Sequence, residues 1–270
     1  MGTDEKYNGT GGLVVDRPGS SAHETPLLFV HGMCHGAWCW QEHYLPYFAD
    51  KGYTAYAIDL PGHGSNKSDK KLRKLSLAEY VSSVEKAVEH IGTPPVLIGH
   101  SMGGRVVQKY METHRVPAGV LFASVPPRNL ISNIIRFAKR RFRTFMRINL
   151  NRSLYPLVET PERTRELMFS RNLPDELVKK YQFRMQDESF RAFLDMVILD
   201  PPHPDRIMDP LLVLGAENDA LVAVEDFEYT VRTYQAEGQL FPLTGHDMML
   251  DTEWKHIADR IHEWFRENNL

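Results

Sequence analysis

The stretch Val96-Leu97-Ile98-Gly99-His100-Ser101-Met102-Gly103 decides the fold. Its continuous apolar start is typical of a strand buried on both faces, as in a parallel sheet. Glycine at both 99 and 103 leaves room for a very sharp turn, because neither residue carries a Cβ. Four apolar side chains then share one helical face: Val106, Val107, Tyr110 and Met111. The stretch therefore predicts a strand, a tight turn with Ser101 at its tip, and a helix.

This turn also fits the pattern G-x-S-x-G, which alone arises by chance in roughly one chain in ten of this length. Between a buried strand and a helix, however, it is what a nucleophile elbow requires. An elbow holds the serine hydroxyl at the positive end of the helix dipole, where a developing oxyanion is stabilised. We predict that Ser101 is a catalytic nucleophile; the alternative is an unreactive serine in a tight turn.

A serine hydroxyl needs a base to take its proton and an acid to orient that base. In this architecture the chain order is serine, acid, histidine. Asp219 follows the apolar run 211–214, and His246 follows the run that ends at Phe241. Both lie just past the carboxyl end of a predicted strand, where open α/β sheets place their ligands. We predict that Asp219 and His246 complete a catalytic triad with Ser101.

Other assignments of these roles stay open from the residues alone. Glu217 lies in the same loop as the predicted acid and could replace it. Asp247 and Asp251 are too close to the histidine along the chain to suit that role. Cys34 lies in a Gly-x-Cys-x-Gly pattern after its own apolar run, but two tryptophans follow it and no clear helix begins there.

An oxyanion hole needs two converging backbone donors. We predict the N–H groups of Met102, directly after the nucleophile, and of Met33, in the loop after an earlier strand. We expect Cys34, Trp38 and Met248 to line the substrate pocket.

Histidines and cysteines are dense in one segment: His31, Cys34, His35, Cys39 and His43. A structural zinc site favours separate C-x2–4-C and H-x3–5-H pairs, whereas these five residues are interleaved within one short segment. We therefore predict neither a metal nor a cofactor.

Apolar runs and helical patterns alternate along the rest of the chain, which is typical of an α/β protein with a mostly parallel sheet. Further strands are predicted at residues 26–30, 54–58, 120–123 and 211–214, with a weaker one around 240–241. One helix begins after Ser76 with a capping box and ends at Gly92, and another begins near Trp254. The first dozen residues are predicted to be a loose tail, and residues 13–15 an edge strand.

Residues 126–208 interrupt this alternation, because helical spacing dominates there and prolines flank the segment. We predict a helical cap at 126–208, inserted into a core formed by residues 1–125 and 209–270. Within it, residues 128–152 carry eight basic and no acidic side chains, so the rest of the chain carries −3 − 8 = −11. An apolar stripe on this segment is expected to pack onto the core; it consists of Ile131, Ile134, Ile135, Ala138, Phe142, Phe145 and Met146. The alternative hypothesis is that the segment attracts an anionic membrane surface or anionic substrates.

Composition excludes several classes of protein. The 270 residues are 42% hydrophobic and 25% charged with a net charge of −3, which argues against disorder and against a nucleic-acid binder. No apolar run is long enough to span a bilayer. Neither a secretory signal nor a myristoylation pattern is visible, since position 6 is Lys6. Two cysteines form no disulfide framework. We expect a soluble, cytoplasmic protein, and the oligomeric state is left open.

As an ordered set, these motifs resemble the α/β-hydrolase superfamily of serine esterases and lipases. The motifs are His31-Gly32, Asp59-Leu60-Pro61-Gly62-His63-Gly64-Ser65, Gly99-His100-Ser101-Met102-Gly103-Gly104, Gly215 with Asp219, and Gly245-His246. Residues 31–40 are similar to the plant methylesterase and hydroxynitrile-lyase branch, and residues 61–64 to bacterial lysophospholipase-type members. The resemblance implies an eight-stranded sheet with a helical cap at the insertion.

The predicted function is hydrolysis of a carboxylic ester, or of a thioester or amide, through an acyl-enzyme. Hydroxynitrile lyases resemble this chain but have Thr and Lys where it has Gly32 and Asp247. Carbon–carbon bond hydrolysis, cofactor-free dioxygenation and a slow, receptor-like hydrolase stay open as alternatives.

Overall fold

Eight strands form one sheet in the computed structural model, which describes residues 3–5, 12–19 and 23–270. The strands are β1 (Thr3–Glu5), β2 (Leu13–Asp16), β3 (Leu27–Val30), β4 (Ala55–Ile58), β5 (Val96–His100), β6 (Gly119–Phe122), β7 (Leu211–Ala216) and β8 (Glu237–Phe241). Their order across the sheet is β1-β2-β4-β3-β5-β6-β7-β8. Pairing from β4 to β8 is parallel, and only β1 and β2 run antiparallel to their neighbours.

Helices cover both faces of this sheet. They are α1 (Trp38–Gln41), α2 (Tyr44–Asp50), α3 (Leu77–Ile91), α4 (Met102–Met111), α5 (Ile131–Arg140), α6 (Phe142–Asn151), α7 (Pro161–Met168), α8 (Asp175–Arg184), α9 (Phe190–Leu194), α10 (Val224–Tyr234) and α11 (Trp254–Glu267). Apolar residues of α2 and α11 pack on one face, and those of α3, α4 and α10 pack on the other. Because the central strands are covered twice, they consist of continuous apolar runs.

The fold class predicted from the sequence is confirmed. Each predicted apolar run forms a strand, and α3 begins with the predicted capping box between Ser76 and Glu79. The helix ends at Gly92, whose φ of 78° suits a residue without a Cβ.

Two expectations about the N-terminal region are wrong. Residues 3–5 were expected in a loose tail but form β1, so β2 is not an edge strand. Backbone hydrogen bonds alone can add an edge strand, which therefore needs no apolar pattern. Residues 1, 2 and 6–11 of that tail, which include the positions read against the myristoylation pattern, lie outside the described residues.

The segment between β6 and β7 contains α5 to α9 and short helical turns, and no strand occurs among its described residues. The division of the chain at 126 and 208 stays a prediction. The expected packing of the basic segment is partly wrong, because Ile131, Ile135, Phe142 and Met146 are exposed. None of the helices in the described part of the chain is long and apolar enough to cross a membrane.

Candidate active site

Ser101 lies in the turn between β5 and α4 with φ 52° and ψ −115°, in the left-handed region that side chains rarely adopt. Both flanking glycines are required by close approach. A Cβ on Gly99 would lie 2.5 Å from the carbonyl oxygen of Gly103. A Cβ on Gly103 would collide with the carbonyl oxygen of Val30 in the neighbouring strand. The turn therefore holds Ser101 in a strained conformation that its surroundings maintain.

The structure brings the three predicted triad residues into one hydrogen-bonded line. His246 Nε2 lies 2.9 Å from Ser101 Oγ, and His246 Nδ1 lies 2.7 Å from Asp219 Oδ2. The other carboxylate oxygen accepts the backbone N–H groups of Leu221 and Val222 at 2.7 and 2.9 Å. These bonds fix the carboxylate, which in turn fixes the imidazole with Nε2 directed at the serine.

The surroundings of His246 raise the pKa of its imidazole. Burial disfavours the protonated form, but the charge and hydrogen bond of Asp219, together with the charge of Asp247, raise the pKa of His246 above its ordinary 6.5. The other candidate acids have different environments, since Glu217 is exposed and Asp251 accepts hydrogen bonds from Ser170 and Gly245.

The loop after β3 lies against Ser101. A Cβ on Gly32 would lie only 3.0 Å from Ser101 Cβ, so the adjacent Met33 is also beside the serine. Among the described residues, no acceptor is hydrogen-bonded to the backbone N–H of Met33 or of Met102. Both predicted donors are thus without an acceptor among the described residues, which is compatible with an oxyanion hole.

The three residues predicted to line the pocket, Cys34, Trp38 and Met248, are all buried. Trp38 stacks on Tyr181 of α8, with 6.3 Å between ring centroids. Burial raises the pKa of the Cys34 thiol well above its usual range, helped by the charge of Glu188. A thiol held protonated is a poor nucleophile, so these surroundings disfavour the alternative elbow at Cys34.

A second layer of polar residues, which the sequence analysis missed, lies behind the triad. Asp247 Oδ2 lies 3.0 Å from His35 Nε2, and His35 Nδ1 lies 2.7 Å from the carbonyl oxygen of Met33. His100 Nε2 donates to the carbonyl oxygen of His246 at 3.1 Å. Burial and the charge of His246 lower the pKa of His100 to about 3. Asp247 and His35 therefore join the loop that bears His246 to the loop that bears Met33.

Glu188 was also missed, and it links the inserted helices to this site. Its carboxylate accepts the Tyr80 hydroxyl at 2.7 Å and the Cys34 backbone N–H at 3.4 Å, and it lies 3.2 Å from His63 Nε2. Burial opposes its ionisation, but the charge of His63 together with hydrogen bonds from His63, Tyr80 and the Ser189 backbone lowers the pKa of Glu188. The insertion also contacts the base loop, since the Asp247 N–H donates to the Met168 carbonyl at 2.8 Å.

Potential metal ligands converge at a different place from the histidine- and cysteine-rich segment. Among the described side chains, the atoms of His100, His246 and Asp247 lie within 4.8 Å of one another. Both ring nitrogens of His246 already face Asp219 and Ser101, so this histidine has no nitrogen left for a metal.

Comparison with known proteins identifies the family. The profile of the Alpha/beta hydrolase family matches residues 27–255. The chain belongs to this family. The solved structure of MenH from S. aureus has a similar fold, with a TM-score of 0.74 at 18% sequence identity. The superposition covers 96% of this chain and 99% of that one.

Among curated proteins, this member of the alpha/beta hydrolase family is similar to methyl jasmonate esterase 1 of Vitis vinifera. The two are 35% identical over 92 residues, which is 33% of this chain and 34% of the relative. Esterase PIR7B of Oryza sativa subsp. japonica is 33% identical over 114 residues, or 40% of this chain and 41% of the relative. The chain thus matches only about two fifths or less of these relatives' length.

Proposed function

We propose that this alpha/beta hydrolase cleaves carboxylic esters with Ser101 as nucleophile. One observation carries the proposal: the hydrogen-bonded line from Ser101 through His246 to Asp219, with both bonds under 3 Å. The names of the relatives, methyl jasmonate esterase and esterase PIR7B, support an ester as the substrate.

In the proposed mechanism, Ser101 Oγ attacks the ester carbonyl carbon while His246 Nε2 takes the hydroxyl proton. Asp219 holds the imidazole tautomer that leaves Nε2 free to accept and stabilises the imidazolium that forms. The N–H groups of Met33 and Met102 donate to the tetrahedral oxyanion.

Collapse of the tetrahedral intermediate expels the alcohol, which takes the proton from His246, and leaves an acyl-enzyme on Ser101. A water molecule then transfers a proton to His246 and attacks the acyl carbon. The acid is released as Ser101 regains its proton.

The test uses the full chain, a fluorophosphonate probe and a short-chain aryl ester. We expect covalent labelling and turnover, with Ser101→Ala abolishing labelling and lowering kcat by about 10⁴-fold or more. Ser82→Ala, which removes a hydroxyl of α3 outside the hydrogen-bonded line of the triad, is the matched control and should change neither. An unlabelled and inactive protein that is correctly folded would overturn the proposal.

Hydroxynitrile-lyase chemistry receives less support. Members of that branch have Thr after the first histidine, but a Cβ on Gly32 would lie 2.6 Å from His100 Nδ1. A threonine side chain does not fit there without movement of His100. The position after His246 holds Asp247 instead of the lysine of that branch. This aspartate pairs with His35.

We also propose a cytoplasmic location, because both cysteines, Cys34 and Cys39, are free and buried. Free thiols of this kind are typical of reducing compartments. Cell fractionation with an antibody against the native chain tests this assignment.

A further inference from the structure

Helix α6 exposes an apolar stripe that the core does not use. Phe142, Met146 and Leu150 recur every four residues and are 64%, 37% and 75% exposed. Ile148, the one buried residue of this helix, points to the opposite side, because two residues correspond to about 200° of rotation from Met146. The stripe therefore faces away from the protein.

Helix α5 extends this exposed surface. It packs against α6 and presents Ile131 and Ile135, which are 46% and 51% exposed. On the same helix, Ile134 and Phe137 turn inward and are partly buried against the core. Both helices thus keep some apolar side chains for packing and direct others outward.

Cations without acidic partners border the exposed apolar side chains. Three of the eight basic residues in this segment pair with acids: Arg128 with Asp226, Arg141 with Glu166 and Arg147 with Glu159. Within the described ranges, the other five form no ion pair: Arg136, Lys139, Arg140, Arg143 and Arg152. We call these five cations and the five exposed apolar side chains of α5 and α6 the basic apolar surface.

The cations lie beside the apolar stripe rather than behind it. On α6, Arg143 follows Phe142 and is only about 60° from Met146 around the helix. On α5, Lys139 lies one turn after Ile135, at about 40° from it. Such a surface presents apolar side chains outward and positive charges at their margin.

We propose that the basic apolar surface docks this protein on an anionic lipid bilayer. Exposed apolar residues flanked by Lys and Arg are the pattern by which amphipathic helices bind membrane interfaces. The apolar side chains enter the boundary between headgroups and acyl chains, and the cations contact anionic headgroups. Charge complementarity selects this occupant, because the rest of the chain carries −11 while the described residues of α5 and α6 combine unpaired positive charges with exposed apolar side chains.

The test measures co-sedimentation of the full chain with large unilamellar vesicles. We expect binding to vesicles of 70% phosphatidylcholine and 30% phosphatidylserine to exceed binding to pure phosphatidylcholine by roughly tenfold or more. Raising the salt concentration should weaken that binding. Equal binding to both vesicle types, or none to either, would overturn the proposal.

Two variants test the two components of the surface separately. The first replaces the apolar stripe: Phe142→Ser, Met146→Ser and Leu150→Ser. The second replaces four cations: Arg136→Gln, Lys139→Gln, Arg140→Gln and Arg143→Gln. Each should lose roughly tenfold or more of the binding, while circular dichroism and Tm stay those of the native protein, since all seven side chains are exposed.

A matched control removes four exposed cations from another basic segment: Lys67→Gln, Lys71→Gln, Arg73→Gln and Lys74→Gln. This control has the same change in net charge and should keep its binding. An equal loss in control and cation variants would show a nonspecific charge effect and overturn the proposal. A native dimer that dissociates when the stripe is replaced would overturn it too, because the surface would then bind a second copy. Neither readout depends on esterase activity, so failure here is separate from failure of the proposed function.

Discussion

Asp247 follows the proposed base in the chain and contacts His35, in the loop after β3. Its carboxylate is bonded to His35, whose other ring nitrogen faces the Met33 carbonyl oxygen. The same carboxylate raises the pKa of His246 through its charge. A single side chain thus affects both the protonation of the base and the placement of an oxyanion donor.

We predict that Asp247→Asn shifts the acid limb of the kcat/KM profile to lower pH. His246 must be neutral to accept the serine proton, so activity falls as pH drops through its raised pKa. Removing the negative neighbour lowers that pKa, and activity then persists to lower pH. A pH–rate profile of both proteins measures the shift. Glu217→Gln, an exposed carboxylate in the acid loop, is the control and should leave the limb in place.

We predict that Glu188→Ala destabilises the fold by about 3 kcal/mol, since it leaves a buried histidine without its charge partner. The substitution also removes the acceptor of the Tyr80 hydroxyl and of the Cys34 N–H. Urea unfolding measures the change. Glu176→Ala, at an exposed position of α8, should stay within about 0.5 kcal/mol of the native protein. Equal stability of Glu188→Ala and the native chain would contradict the assigned role.

At the scale of elements, the turn between β5 and α4 requires a residue without a Cβ at position 103. We predict that Gly103→Ala costs more than about 3 kcal/mol or prevents folding, because its Cβ would collide with the carbonyl oxygens of Val30 and His31. Thermal unfolding of purified protein measures this. Gly19→Ala is the control, since a Cβ there meets nothing within 4 Å.

The elements that sequence predicted best are those with strong local patterns. The central strands are continuous apolar runs because both faces of the sheet are covered. The start of α3 is predicted by the capping box of Ser76 and Glu79. β1 carries no such pattern, because its pairing with β2 rests on backbone hydrogen bonds. In α6, one stripe of apolar residues was expected to be buried, yet Phe142 is exposed and Ile148 is buried. Helical spacing identifies an apolar face but not which neighbour covers it.

The convergence of Ser101, Asp219 and His246 was predictable because each follows a strand at a position that the topology requires. Asp247 and His35 were not, since nothing local indicates that residues 212 positions apart meet. Glu188 lies in a segment with no strand and contacts partners more than 100 positions away. A carboxylate next to the predicted base was one available signal, but chain proximity to His246 argued only against a role as the triad acid.

At the scale of the whole molecule, the site exists only when the centre of the sheet, at β5, and its edge, at β8, are both in place. Ser101 and His246 are 145 positions apart, with the helical segment between them. We predict that ester hydrolysis and tryptophan fluorescence are lost together over a urea series, as one cooperative transition. Activity that disappears at clearly lower urea would contradict this, and an irreversible covalent probe added during unfolding supplies a second measure of the intact site.

The 145-residue separation also has a consequence for the growing chain on the ribosome. The serine turn and its flanking strands emerge long before the loop that bears the base. A nascent chain therefore carries Ser101 without its proposed base, His246, until β8 and the residues after it have been translated and docked. Long-range closure of this kind is slow compared with local folding. Catalysis by the proposed triad would thus begin only after the loop that bears His246 has been translated and has docked beside Ser101.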